Sequence, residues 1–167
     1  MTAPAHALPA VALTSERRRE QRELGYAFIG RFHITAGDRK AVVLAEGCRV
    51  ELPLGQLPFL LRLVRELHST AEGWVAIDGL AEAEWFSQRG PQAAISRLRA
   101  PFGRSIQDPE TGETIKATLL IKQSSSRLRL SVPPEMVTFD RTALRSLNEY
   151  SVTRELDLIP DQASRSR

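Results

Sequence analysis

Arg89, Arg97 and Arg104 fall at spacings that set their guanidinium groups on one side of a helix, with Ala93, Ser96 and Ala100 among them. The segment reads GPQAAISRLRAPFGR from Gly90 to Arg104. Guanidinium grips phosphate or the edge of guanine in two-point contacts, and alanine lets a helix backbone come close to a groove. On the opposite side, at about 100° per residue, Ile95, Leu98 and Phe102 mark a buried stripe. Pro91 suits the first turn, where no backbone donor is needed. An ordinary helix with a solvated arginine face has the same pattern, so the segment alone leaves both readings open.

No other set of residues has catalytic spacing. The three histidines, His6, His33 and His68, fall in a tail, a strand and a helix end, away from any metal-ligand pattern. No glycine-rich phosphate loop is present. Glu82 with Glu84, and Glu110 with Glu113, lack a partner of known chemistry, and Asp108 before Pro109 reads as a turn residue. The sequence therefore predicts no enzyme, no cofactor and no metal site.

The 167 residues suit one domain with appendages, and 42% hydrophobic with 26% charged residues is ordinary for a globular chain. The net charge of +3 and pI near 9.5 point weakly to polyanions. Arginine far outnumbers lysine, which occurs only at positions 40, 116 and 122. A GC-rich coding sequence gives the same bias. No apolar run approaches the ~20 residues of a membrane span. The N-terminal stretch places its charges after its apolar part and holds Pro4 and Pro9, unlike a signal peptide. Cys48 stands alone, so no internal disulfide forms and a cytoplasmic location is expected.

These residues are positioned by a succession of short elements. Residues 1–13 and 161–167 read as disordered tails. Ser15 to Leu24 predicts a charged helix, capped by Thr14 or Ser15 and stopped by Gly25. Its Arg17, Arg18, Arg19 and Arg22 could meet phosphates, although Glu16, Glu20 and Glu23 offset them at helical spacing. Tyr26–Ile34, Lys40–Ala45 and Cys48–Leu52 predict an antiparallel meander with a kink at Gly30 and a tight turn at Glu46-Gly47. Leu57, Leu60, Leu61, Val64 and Leu67 form the stripe of the strongest helix, whose regular part begins near Gln56 or Leu57 because of Pro58. A short extended piece at Trp74–Ala76 follows. Asp78 then caps a helix to Phe86, Ser87–Gly90 turns, and the arginine-faced helix comes next, giving a helix-turn-helix. Thr114–Ile121 and Arg127–Val132 predict a hairpin around Ser124, Ser125 and Ser126, with Arg129 on the wet face of its strand. Asp140 caps a last helix to about Tyr150. The stripe Leu144, Leu147, Tyr150, Val152, Leu156, Leu158 and Ile159 must pack back on the domain, or meet a second copy or another protein; a homodimer or partner surface is favoured.

Strands, a long helix, a short strand, two helices and a hairpin, in that order over residues 26–133, resemble the winged-helix output domain of the OmpR-like response regulators. VELPLGQLPFLLRLVRELH is similar to the segment in which a strand runs into that family's first helix. AAISRLRAPFG is similar to its recognition helix, where an Ile is followed two residues later by Arg-Leu-Arg. The resemblance implies an α+β winged helix-turn-helix with an N-terminal antiparallel sheet, a three-helix core and a C-terminal wing. Residues 14–25 add a charged arm and 134–160 a helical extension. The 25 residues ahead of Tyr26 are too few for a receiver module. The tip SSSRLRLSV lacks the glycine-rich aromatic run usual in the family's wing.

The family implies a transcriptional regulator, often dimeric, that binds double-stranded DNA. Carried over by position, the recognition helix (91–104) would present Arg89, Gln92, Ala93, Ser96, Arg97, Ala100 and Arg104 to the major groove. Arg99 lies nearer the flank, in a structural or phosphate role. The wing (114–132) would bring Lys122, Ser124, Ser125, Ser126 and Arg127 to the backbone or minor groove. The alternative is a winged-helix adaptor for protein contact, favoured if the arginines do not share one exposed surface or pair with acids such as Glu82 and Glu84. RNA binding is weaker, for want of stacking aromatics on a sheet face.

Overall fold

The Thr14 hydroxyl accepts a hydrogen bond from the Arg17 backbone N–H at 3.1 Å and so caps α1 (Ser15–Glu23). This computed structural model describes residues 14–70, 72–83, 85–86, 89–103 and 106–160. The two expected disordered tails, and Glu84, Ser87, Gln88 and Arg104, lie outside the described residues. Gly25, at φ +90°, ends α1 as its composition requires.

Tyr26 to Arg31 is not strand, contrary to the expectation from its aromatic and β-branched residues. Phe28, Ile29 and Gly30 are buried in succession, which a strand with one wet face cannot achieve. The segment is instead irregular, with Ala27 and Phe28 N–H both donating to the Ser131 carbonyl. A Cβ at Gly30 would lie 2.6 Å from the Glu46 side chain, so the close crossing there requires glycine.

The antiparallel meander is present, with its first strand shifted along the chain to β1 (Phe32–Ala36), followed by β2 (Ala41–Ala45) and β3 (Cys48–Leu52). Its register aligns Ile34, Val43 and Val50 on the buried face and His33, Leu44 and Arg49 on the other. Glu46 and Gly47 take φ of +44° and +89° at the two-residue turn. The chain then enters α2 (Leu57–Ser69) through a 3₁₀ turn at Leu54–Gln56. Its predicted stripe is fully buried, and Phe59 and Leu63 join it, so α2 is enclosed nearly all round.

After β4 (Val75–Ala76), helix α3 (Ile77–Leu80) lasts a single turn. The predicted Asp78 cap and the continuation to Phe86 are both corrected. Ala76 occupies the cap position without a side-chain bond. The chain advances by i→i+3 bonds from Ala81 to Asp78, Ala83 to Leu80 and Phe86 to Ala83. Gly79 weakens an α-helix there, and Phe59, Trp85 and Phe86 fix the tighter path through ring contacts of 5.1 to 6.1 Å. Then come α4 (Pro91–Arg99) and a 3₁₀ turn at Ala100–Phe102.

Residues 114–120 are not strand either. Ile115 pairs back with Ile106, and α5 (Ala117–Leu120) is a helical turn. The hairpin itself is present, as β5 (Ile121–Ser124) and β6 (Arg127–Leu130), with β4 as a third strand in the order β4-β6-β5. Pro133 and Pro134 end it. The sequence gives no sign of β7 (Val137–Phe139), which lies parallel to β1 and completes a four-stranded sheet, β3-β2-β1-β7.

Asp140 caps the next helix through a bond from Ala143 N–H at 3.1 Å. The expected single helix is two, α6 (Arg141–Arg145) and α7 (Tyr150–Leu158), broken where Asn148 adopts φ +56°. Arg141 donates to the carbonyls of Leu156 and Ile159 at 2.6 and 2.8 Å, closing the end of α7. Leu144, Val152, Leu156 and Ile159 are buried, and α7 packs on α2. Most of the C-terminal stripe thus packs within the chain, whereas Tyr150 and Leu158 remain 72% and 52% exposed. The fold is α+β. Among the described residues no helix is long and apolar enough to cross a membrane.

Candidate nucleic-acid interface

Ala94, Ile95 and Leu98 of α4, with Phe102 beyond it, face the core. Phe102 meets Phe32 of β1 with ring centroids 6.2 Å apart, which moors the end of the helix to the four-stranded sheet. Geometry then dictates the outward face. Gln92, Ser96, Arg97 and Ala100 are exposed, as is Arg89 at the helix mouth, and Ala93 is half-buried. Arg97 makes no ion pair with a described residue. Arg104 cannot be placed with them, because it lies outside the described residues.

Arg99 has a structural position. Its Nε and Nη2 donate to the Ile121 carbonyl at 2.9 and 2.7 Å. Burial pulls its guanidinium below the usual arginine range. This fork ties the end of α4 to the start of β5, so helix and hairpin form one unit. From Ile121 to the hairpin tip is roughly 10 Å at ~3.3 Å per strand residue. Ser125 turns the tip at φ +56°, with Ser124, Ser126 and Arg127 exposed beside it and Lys122 half-buried.

Arg129 does not line a wet strand face, and that expectation is corrected. It is only 3% exposed. Its guanidinium carbon lies 4.7 Å from the Tyr26 ring centroid and 4.6 Å from that of Trp74. It donates to the carbonyls of Gly25 at 3.1 Å and Glu72 at 3.4 Å. The signal in the sequence was the arginine two residues after Arg127, but alternation alone cannot reveal that two aromatic rings cover it. Burial lowers its proton affinity.

Burial also raises the Tyr26 phenol above its ordinary value, against the smaller pull of Arg129; Glu72 and Glu135 add to the rise. The folded protein therefore holds this proton at pH values where the unfolded chain releases it. Stability from this site is complete below about pH 10 and falls as pH rises past it. In a Tyr150→Phe variant, ultraviolet titration should show the remaining phenol ionising later than free tyrosine. Tyr26→Phe should flatten the alkaline loss of stability; an ordinary titration would refute the burial effect.

Three of the four arginines of α1 are engaged within the molecule. Arg17 pairs with Glu135 at 2.8 Å, Arg22 with Asp108 and Glu110 at 3.4 and 3.3 Å, and Arg18 donates to the Ile29 carbonyl at 2.8 Å. Gln21, buried among them, donates to Glu135 at 2.9 Å. Of the compensation expected inside the helix, only the Arg17–Glu20 pair forms. The acids that hold α1 come from distant loops, which spacing within α1 could not show. Arg19 alone of the four is left on the exposed side without a described pair.

Among the described residues no group of three or more His, Cys, Asp or Glu is placed to hold a metal. A concavity of about 260 Å³ lies between α2, Trp85 and α7, lined in part by Arg65, Glu82, Trp85, Tyr150, Arg154 and Leu158. Comparison with protein-family models, curated proteins and solved structures finds no match to this chain.

Proposed function

We propose that this chain is a winged helix-turn-helix regulator of transcription that binds duplex DNA, with α4 in the major groove and the β5–β6 hairpin as the wing. The observation that carries the reading is Arg97. It stands exposed beside Gln92, Ser96 and Ala100 on a helix whose end is tied through Arg99 to the hairpin. A nine-residue helix is about 13 Å long, which suits a groove about 12 Å wide. The hairpin tip would then reach an adjacent stretch of backbone. The third strand, β4, pairs with β6, which stiffens the hairpin from the side of the helix-turn-helix. Arg17, Arg18 and Arg22 of α1 are engaged within the molecule, so the interface rests on α4 and the hairpin. A cytoplasmic setting belongs to the same proposal.

Selection from random duplexes at two salt concentrations tests it. An enriched motif is expected, with affinity falling steeply as salt rises. Arg97→Ala should cost about 1–3 kcal/mol of binding at moderate salt if the arginine pairs with a guanine. The triple Arg89, Arg97 and Arg104 to Ala variant should lose the motif. Unchanged binding by Arg97→Ala removes that residue from the interface, and no enrichment by the parent protein defeats the proposal.

One observation favours a second reading, an adaptor or homodimer contact. Tyr150 and Leu158 project from α7 beside Trp85, exposed at the rim of the concavity between α2 and α7. Large exposed apolar side chains in a cluster mark contact surfaces. The two readings use different faces, so the random-duplex selection and a sedimentation measurement of Tyr150→Ser separate them.

A further inference from the structure

The outer face of the three-stranded sheet carries cations that form no ion pair with a described acid. Register sets Lys122 opposite Arg129 and Ser124 opposite Arg127, so Lys122, Arg127 and Arg129 share a face. Val75 pairs with Leu128 on the inner side, which puts Trp74, the preceding residue, over that same outer face. Both arginines lie against its indole, Arg129 at 4.6 Å and Arg127 at 5.2 Å from the ring centroid.

The two guanidinium groups differ in what else they touch. Arg129 is buried and bonded to backbone carbonyls. Arg127 is exposed, and among the described residues the Trp74 ring is the partner of its guanidinium. An attraction to a ring leaves the N–H groups of guanidinium available for oxygen acceptors. A long side chain already ordered on a ring also loses less freedom when it binds.

We propose that Trp74 is a positioning residue of the DNA interface: Arg129 fixes the indole from within, and the indole holds Arg127 ready for a backbone phosphate beside the hairpin. This inference rests on the DNA-binding reading.

The test compares duplex affinity, across a salt series, for the parent protein, Arg127→Ala, Trp74→Leu, Trp74→Phe and the Arg127→Ala/Trp74→Leu double variant. The probe is the motif enriched from random duplexes. Arg127→Ala should weaken binding about tenfold and make the log–log salt slope shallower by about 0.9, as for one lost phosphate contact. Trp74→Leu should weaken binding with the slope kept, Trp74→Phe should restore most of it, and the double variant should bind no worse than Arg127→Ala. In the free protein, the Arg127 Nε–H proton resonance should carry a ring-current shift that Trp74→Leu removes and Trp74→Phe retains. Thermal unfolding shows which variants are folded, and Trp74→Phe keeps the test valid if Trp74→Leu is not. Losses that multiply in the double variant, or an Arg127 resonance indifferent to Trp74, overturn this inference while the DNA reading stands. A parent protein that binds no duplex overturns both.

Discussion

Phe102→Ala is expected to cost about 3–5 kcal/mol of folding stability, the range for removing a fully enclosed phenyl group. Phe102 has no exposed surface and meets Phe32 in the four-stranded sheet. Truncation removes the transfer energy of the ring and leaves a cavity. The 3₁₀ turn at Ala100–Phe102, with Pro101 inside it, has little freedom to collapse into that space. A domain of this size has ~5–15 kcal/mol in total, so the loss is a large fraction of it. The melting temperature should fall by roughly 10 °C. Phe102→Leu keeps most of the volume and should cost less than half as much. Urea unfolding of the three proteins is the measurement. An alanine variant within 1 kcal/mol of the parent, on the scale of a tolerated surface change, would mean that α4 is not moored where the rings place it.

The same contact explains what was legible in the sequence. Ile95, Leu98 and Phe102 announce their burial through helical spacing, and all three are buried. The meander was legible because Glu46-Gly47 fixes a two-residue turn and with it the register of β2 on β3. The α2 stripe was legible for its length. Failures cluster where a local pattern yields to a distant partner. Tyr26–Arg31 has the aromatic and β-branched content of a strand, but Ser131 captures two of its N–H groups. Asp78 begins a plausible helix, yet Phe59, Trp85 and Phe86 impose tighter turns. The strand β7 has three residues and pairs in parallel with β1 across a separation of over a hundred positions, for which no local spacing exists.

Within the candidate site, outward and inward sides of α4 follow from periodicity, so Gln92, Ser96, Arg97 and Ala100 were readable. Arg99 was readable only as a flank residue. Its fork onto Ile121 depends on where the hairpin begins, which the sequence misplaced by treating 114–120 as strand. The α1 arginines were misjudged for the same reason, since their carboxylate partners at positions 108, 110 and 135 belong to other elements. Charge at a position is visible in sequence; whether that charge is already answered is a tertiary property.

Arg129 is the sharpest case, and its substitutions should separate two effects. Removing it to alanine is expected to cost about 2–4 kcal/mol. Two ring contacts of a desolvated cation contribute ~0.5–2 kcal/mol each, and truncation adds a cavity between Tyr26 and Trp74. The Glu72 carbonyl loses its bond from Arg129, while the Gly25 carbonyl still accepts from the Ser131 hydroxyl at 3.2 Å. Opposing this is the cost of burying a charge with no carboxylate in ion-pair range among the described residues, several kcal/mol before its contacts offset it. Arg129→Met restores most of the volume and removes that burial cost. Its destabilisation should therefore stay near ~1 kcal/mol, well under the alanine value. Arg129→Lys keeps the charge but loses the planar fork, and should fall nearer alanine than methionine. Equilibrium unfolding in urea orders the three. Methionine as damaging as alanine would place the worth of this residue in its charge and hydrogen bonds rather than in filling the space between two rings. Alanine within ~0.5 kcal/mol of the parent would mean that the stack does not hold β6 to the junction after α1 at all.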